Sequence, residues 1–197
     1  MKRVCVYCGS STGVNPAHRD AAEKLGTLLA ARGIGLVYGG GNIGLMGVVA
    51  DAALRAGGEV IGVIPGALME KELGHAGLTK LHVVGSMHER KRLMADLSDG
   101  FIALPGGIGT LEEFFETFTW QQLAFHDKPV ALLNAGGFYD HLLAFLRHVT
   151  DERFLRGEHL DSLLIETDAV ALLDRMAAFR APRLGKWRDH PPSPGER

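Results

Sequence analysis

The sequence alternates between short apolar runs and longer amphipathic segments over most of its length. The apolar runs cover residues 4–7, 35–38, 60–64, 81–84, 101–104, 130–133 and 163–166. The amphipathic segments between them cover residues 16–31, 44–55, 87–97, 110–125 and 138–150. Near-continuous apolar strands separated by helices are typical of a parallel sheet that is covered on both faces. We therefore predict a doubly wound α/β fold.

Length and composition favour one globular domain. The chain has 197 residues, of which 46% are hydrophobic and 22% charged, enough to bury a full core. We place this single domain at residues 1–180. The last residues, 181–197, contain four prolines and scattered charge, which predicts a flexible tail.

The overall charge argues against several classes of partner. A formal net charge of -2 gives no long-range field that would attract nucleic acid or an acidic membrane surface. No apolar run is long enough to cross a bilayer, and the N-terminus does not resemble a signal peptide. We expect a cytoplasmic protein that binds a small molecule or another protein.

Cys5 and Cys8 form a C-x-x-C pattern within an apolar run. Positions three apart in a strand point to opposite faces, whereas a redox pair needs a helix start and a zinc site needs a second pair. We predict that both thiols are core or loop-edge residues.

Glycine-rich turns follow three of the predicted strands, at residues 8–13, 38–47 and 104–110. Ligands bind such sheets beyond the carboxyl ends of the strands. The middle turn matches G-x-G-x-x-G through Gly39, Gly41 and Gly44, but the acidic residue that should follow a dinucleotide site, Glu59, begins the next strand rather than ending it. A close helix–strand crossing explains Gly44 and Gly47 equally well, and the Walker pattern of P-loop proteins is absent.

The third turn admits two interpretations. Thr110 and Glu113 match a capping box, in which both side chains serve the first turn of a helix. That hypothesis leaves the glycines of residues 106–109 unexplained. Without side chains, their backbone N–H groups can face an anion at the positive end of a helix.

Arg90 and Lys91 stand near the start of the helix that precedes this turn. Cations early in a helix oppose its dipole, which favours a ligand role in binding an anion. Arg92 is better explained as part of a solvated face. The nine histidines form no metal-binding pattern.

Taken together, the ordered segments YCGSS, VYGGGNIGLMG, MHERK, PGGIGTLEE and TWQQLAFHDKPV resemble the Lonely Guy family of cytokinin-activating phosphoribohydrolases. The family pattern, an Arg-Lys pair followed by PGGxGTxxE, is met at Arg90-Lys91 and at residues 105–113, and the resemblance spans about residues 4–150. It implies a Rossmann-like fold, a homodimer, and hydrolysis of the N-glycosidic bond of a nucleoside 5′-monophosphate. The typical substrate is an N6-modified adenosine monophosphate, cleaved to the free base and ribose 5-phosphate.

The resemblance also implies roles for particular residues. Arg90 and Glu113 would be catalytic, with neither a cofactor nor a metal. Whether Arg90 holds the phosphate or assists the departing base stays open. Substrate contacts would come from Glu72, Arg90, Lys91, Gly106, Gly107, Ile108, Gly109, Thr110, Leu111, Glu112, Glu113 and Thr119.

Two other functions fit the same sequence. A non-catalytic carrier of a nucleotide or cofactor could share the fold, with Glu113 acting only as a helix cap. A pyridoxal-phosphate decarboxylase would need a Schiff-base lysine, for which only Lys91 is near the predicted pocket.

The predicted dimer would use the helix at residues 110–125, which carries more aromatic surface than one buried stripe needs. The alternative is that its five aromatic side chains all face the sheet of their own chain. These residues are Phe114, Phe115, Phe118, Trp120 and Phe125.

Overall fold

The computed structural model describes residues 1–69 and 74–181. Seven strands form one sheet in the order β4-β3-β2-β1-β5-β6-β7, and each neighbouring pair is parallel. The strands are β1 Arg3–Tyr7, β2 Gly35–Tyr38, β3 Val60–Pro65, β4 Lys80–Val84, β5 Phe101–Ala103, β6 Val130–Leu133 and β7 Leu164–Glu166. The predicted doubly wound α/β fold is confirmed.

Helices cover both faces of this sheet. They are α1 Pro16–Ala31, α2 Gly44–Arg55, α3 Met87–Asp96, α4 Ile108–Gln122, α5 Asp140–Asp151, α6 Gly157–Ser162 and α7 Ala169–Ala178, with short 3₁₀ turns at Gly66–Leu68 and Ala135–Gly137. One core layer holds side chains of α1, α2 and α7, and the other holds side chains of α3, α4 and α5. Within the described ranges, no helix has the length and apolarity needed to span a bilayer.

Two helices were absent from the sequence prediction. α6 has only six residues, too few for a helical period to stand out. α7 starts at a clear local signal, because the Asp168 carboxylate accepts hydrogen bonds from the N–H groups of Val170 and Ala171 at 2.8 and 3.1 Å. Its start is therefore a side-chain cap of the kind that sequence can reveal.

The two cysteines lie in different layers of the core. Cys5 packs in the layer of α3, α4 and α5, whereas Cys8 packs in the layer of α1 and α2. Both are buried free thiols. The prediction that both thiols are core or loop-edge residues is confirmed.

Strand order places a topological switch point beside β1. From β1 the chain builds outward through β2, β3 and β4 on one side, then returns to pair β5 on the other side of β1. The segments after β1 and β5 therefore leave toward opposite faces and open a crevice at the carboxyl edge. That crevice is where the first and third glycine turns meet.

Two buried tyrosines of this core allow a comparison between a hydroxyl with a hydrogen-bond partner and one that has none in the described part of the chain. The Tyr38 hydroxyl has no hydrogen-bond partner among the described residues, whereas the Tyr139 hydroxyl donates to the Leu104 carbonyl at 2.6 Å. We expect Tyr38→Phe to leave the free energy of unfolding unchanged or to raise it by up to about 1 kcal/mol. Tyr139→Phe should lower it by about 1–2 kcal/mol. Urea titrations of both variants check this, and equal losses would contradict it.

Candidate active site

A cleft of about 300 Å³ opens at the carboxyl edge of the sheet, at the switch point beside β1. The ends of β1 and β2, the first turns of α3 and α4, and one side chain of α2 form its walls. Its lining residues are Val6, Tyr7, Cys8, Gly9, Ser10, Gly39, Met46, Leu68, Met87, Arg90, Gly107, Ile108, Gly109, Thr110, Glu112 and Glu113.

The start of α4 differs from the capping-box hypothesis. The helix begins at Ile108 with Gly107 as its N-cap, and no side chain caps it. Thr110 is thus the third helical residue and Glu113 the sixth, so neither occupies its expected capping position. The N–H groups of residues 108–110 have no acceptor within the helix and lie at its positive end, at the wall of the cleft.

The glycines of this turn serve two different needs. A Cβ on Gly106 would overlap the Thr110 hydroxyl and would lie 2.8 Å from the Gly9 nitrogen, so close packing of two turns requires glycine there. A Cβ on Gly107 or Gly109 would meet no atom within 4 Å in the described part of the chain. At these two positions glycine leaves space at the cleft and keeps the first-turn N–H groups accessible.

Arg90 is a buried residue in the lining of the same cleft. It is the fourth residue of α3, and the residue is only 5% exposed. Nη2 donates a hydrogen bond to the Gly39 carbonyl at 3.1 Å, and Nη1 lies 3.8 Å from the Met87 sulfur. A guanidinium group is therefore held at the wall of a cleft that also contains an open helix N-terminus.

Glu113 brings a half-buried carboxylate to the same cleft. Burial, and to a lesser extent the charge of Glu113, raises the pKa of the Cys8 thiol well above its ordinary value. Cys8 consequently stays protonated near neutral pH and is a poor nucleophile. The chemistry available in this cleft is that of a carboxylate, a guanidinium and backbone donors.

Lys91 points toward α4 and is not among the cleft-lining side chains. Its Nζ lies 2.6 Å from Glu112 Oε1 and 3.0 Å from Glu116 Oε1, and its side chain is 11% exposed. Burial lowers the pKa of Lys91, but the hydrogen bonds to Glu112 and Glu116 outweigh it, and the net shift is upward. A Schiff-base lysine must lose its proton, so this environment disfavours the decarboxylase hypothesis.

The remaining predicted site residues divide by position. Ile108, Thr110 and Glu112 line the cleft with the residues described above. Gly106 lies in the supporting turn, Leu111 packs against the core, and Thr119 is exposed further along α4. Glu72 lies outside the described residues.

Several cleft residues were not predicted as ligand contacts. Ser10 belongs to the first glycine turn, a signal that could have identified it. Met46, Leu68 and Met87 are apolar side chains, which carry no sequence signal of a site. In the described ranges no group of three or more metal-ligating side chains is present.

The second glycine turn is shaped by contacts within the chain. Gly40 has a φ of +80°, and a Cβ there would press against Ile64 and Leu81 at 3.2 and 3.1 Å. Gly44 has a φ of +59° and lies directly against the Ser10–Ser11 backbone. Contacts within the chain therefore explain these glycines without a dinucleotide. The neighbour of Gly44 is the loop after β1, however, and not a strand that the helix crosses.

Comparison with known proteins identifies relatives over most of the chain. Residues 46–176 match the family model described as "Possible lysine decarboxylase". A probable cytokinin riboside 5′-monophosphate phosphoribohydrolase of Oryza sativa subsp. japonica is 50% identical over 179 residues, which are 91% of this chain and 79% of that protein. A cytokinin riboside 5′-monophosphate phosphoribohydrolase of Arabidopsis thaliana is 47% identical over 180 residues, again 91% and 79% of the two chains.

Solved structures share the fold at lower sequence identity. The molybdenum cofactor carrier protein of Chlamydomonas reinhardtii superposes with a TM-score of 0.68 at 23% identity, covering 90% of this chain and 98% of that one. A molybdenum cofactor binding protein of Rippkaea orientalis gives 0.67 at 24%, covering 90% and 97%. These two likenesses concern the fold alone. On the sequence relatives and the family model, the chain belongs to the Lonely Guy family of cytokinin riboside 5′-monophosphate phosphoribohydrolases.

Proposed function

We propose that this protein hydrolyses the N-glycosidic bond of adenosine 5′-monophosphate or its N6-modified forms, releasing the base and ribose 5-phosphate. The observation that carries the proposal is one cleft in which a half-buried carboxylate, a buried guanidinium and a glycine-lined helix N-terminus meet. Relatives about half identical in sequence are named as enzymes of this reaction.

The phosphate site is assigned to the first turn of α4. Three N–H groups without helical acceptors and the positive end of the helix dipole favour an anion there. The absence of side chains at Gly107 and Gly109 lets phosphate oxygens approach the backbone. In this assignment Ile108 and Thr110 belong to the phosphate-binding turn, and Gly106 supports it.

Bond cleavage is assigned to Glu113. As the C1′–N bond breaks, its electron pair leaves with the base and positive charge develops on the ribose, as in glycoside hydrolysis. A carboxylate stabilises that charge and orients a water molecule, whose oxygen adds to C1′ while a proton passes to the departing nitrogen. Arg90 either binds the phosphate, which would affect mainly KM, or stabilises the departing base, which would affect mainly kcat.

We also propose that the protein is a homodimer and that α4 contributes to its interface. Of the five aromatic side chains expected there, Phe114 and Phe118 are buried in the core of their own chain, and Phe115 and Trp120 pack partly against it. Phe125, which follows the end of α4, is 73% exposed. Ile108, at the cleft, is 81% exposed. A second copy would cover these apolar groups and the exposed Thr119. Light scattering that returned the 21.2 kDa of one chain would contradict the dimer. The cytoplasmic location stays a prediction.

The first functional prediction concerns the phosphate requirement. The proposed anion site has short-range backbone donors, so a nucleoside without phosphate should lose this anchor altogether. We expect base release from AMP and isopentenyl-AMP, and far less from adenosine or ATP at equal concentration. Chromatography of the released base measures it. Equal turnover of AMP and adenosine would contradict the proposed site, and no release from any monophosphate would favour a non-catalytic carrier.

Gly109→Ala tests whether the substrate phosphate occupies the space beside the glycine turn. The added methyl meets no protein atom within 4 Å in the described chain, and alanine is the better helix residue, so stability should stay equal or rise by up to about 1 kcal/mol. If phosphate occupies that space, KM for AMP should rise by roughly 10-fold or more. Gly106→Ala is the structural control, because its methyl would clash with Thr110 and should lower the melting temperature. An unchanged KM in folded Gly109→Ala would contradict the assignment.

Glu113→Gln separates the catalytic hypothesis from a structural one. The glutamine keeps the size of the side chain at a half-buried helical position, so we expect stability to change by less than about 1 kcal/mol. Loss of the negative charge should lower kcat by roughly 10²- to 10⁴-fold. Glu116→Gln, about one turn further along α4 and outside the cleft lining, should keep kcat within about 3-fold. Near wild-type kcat in folded Glu113→Gln would rule out the proposed role.

A further inference from the structure

The second glycine turn has no role in the proposed function, although its first glycine lies in the cleft. Gly39 follows β2 directly and is buried against the guanidinium of Arg90. Its carbonyl accepts the hydrogen bond from Arg90 Nη2 at 3.1 Å. A Cβ at this position would overlap Nη2 and would lie 3.2 Å from Cζ.

The backbone at Gly39 does not itself require glycine. Gly40 and Gly44 have positive φ values, whereas Gly39 does not belong to the positive-φ residues of the chain. The next neighbour of a Cβ would be the Met46 sulfur at 3.3 Å, the end of a flexible side chain that can shift. The guanidinium of Arg90 is thus the neighbour that sets the need for glycine.

We propose that Gly39 is a positioning residue for Arg90: its missing side chain forms the slot in which the guanidinium lies, and its carbonyl fixes the orientation of that group. The first glycine of a dinucleotide-like motif would then serve an arginine of the same chain. The catalytic consequence rests on the proposed function, whereas the steric coupling of the two residues does not.

A methyl group in the slot should displace the arginine more easily than the backbone. The Arg90 side chain has several rotatable bonds, whereas Gly39 directly follows Tyr38, which is paired with β1 on one side and β3 on the other. We therefore expect Gly39→Ala to fold with a displaced guanidinium. Misplacement of a catalytic group by about 1 Å can cost roughly 10²-fold in rate, so kcat/KM should fall by about that factor.

The test is a double-mutant cycle of Gly39→Ala and Arg90→Ala, with Gly40→Ala as a matched control. Melting temperatures are measured for each glycine variant in the wild-type and Arg90→Ala backgrounds. Gly39→Ala should lower the melting temperature by roughly 3 to 10 °C when Arg90 is present and by less than about 2 °C when it is absent. Gly40→Ala, strained by its φ of +80° and by Ile64 and Leu81, should cost the same in both backgrounds.

Base release from AMP completes the cycle. If Arg90→Ala acts mainly on kcat, Gly39→Ala should also act mainly on kcat, and likewise for KM. The kcat/KM of the double variant should be no lower than that of Arg90→Ala alone. If Gly39→Ala caused only a structural defect independent of Arg90, the fold losses in kcat/KM of the two single variants would multiply in the double variant.

Three results would overturn the inference: equal loss of melting temperature in both backgrounds, activity of Gly39→Ala within about 3-fold of wild type, or multiplied losses in the double variant. If Gly39→Ala alone fails to fold, the double variant should fold, and its failure would overturn the inference too. Wild-type protein that releases no base from any monophosphate would instead refute the proposed function, and the melting temperatures would still decide the coupling.

Discussion

Close backbone packing of the glycine turns at the carboxyl edge of the sheet is the constraint on which the site depends. Gly9 lies against Gly106, with the Gly9 N–H donating to the Pro105 carbonyl at 3.1 Å, and Gly44 lies against the loop that follows Gly9. Side chains at these contacts would separate the turns. Because the turns touch through their backbones, the start of α4 and the residue that follows β2 are both brought to the lining of one cleft.

Arg90 and Lys91, two cations near this cleft, are stabilised in different ways. Arg90 is almost fully buried, and burying a cation costs several kcal/mol unless polar groups satisfy it, which explains its hydrogen bond to a backbone carbonyl. Lys91, the next residue, is directed into a pair of carboxylates on α4. These two adjacent cations of α3 thus have different roles. The Arg90 guanidinium lies at the cleft, whereas Lys91 links α3 by ion pairs to α4, the helix that carries Glu113.

The fold was predictable because the strands of a sheet buried on both faces are almost continuously apolar, which is visible in the sequence. β2 and β6 have the predicted bounds, and the other strands differ at their ends by one residue. The site was predictable only in part. Arg90, Glu113 and the third glycine turn carry chemical signals, whereas Met46 and Met87 enter the cleft through the packing of separate elements, which no local pattern encodes. The helix contact of Lys91 likewise depends on how α3 packs beside α4.

Two segments at the starts of described helices, Ser86–Glu89 and Thr110–Glu113, match the capping-box pattern, and only the first has a capping side chain. In Ser86–Glu89 the serine hydroxyl accepts from the Glu89 N–H at 3.1 Å, and the Glu89 carboxylate accepts from the Gly85 N–H at 2.9 Å. In Thr110–Glu113 the helix has already begun two residues before the threonine, whose hydroxyl packs against Gly106 instead. The glycine turn therefore takes over the start of α4 and leaves its first N–H groups without a side-chain acceptor. It also places Glu113 beyond the first turn, where a carboxylate has no helix end to cap and can face the cleft.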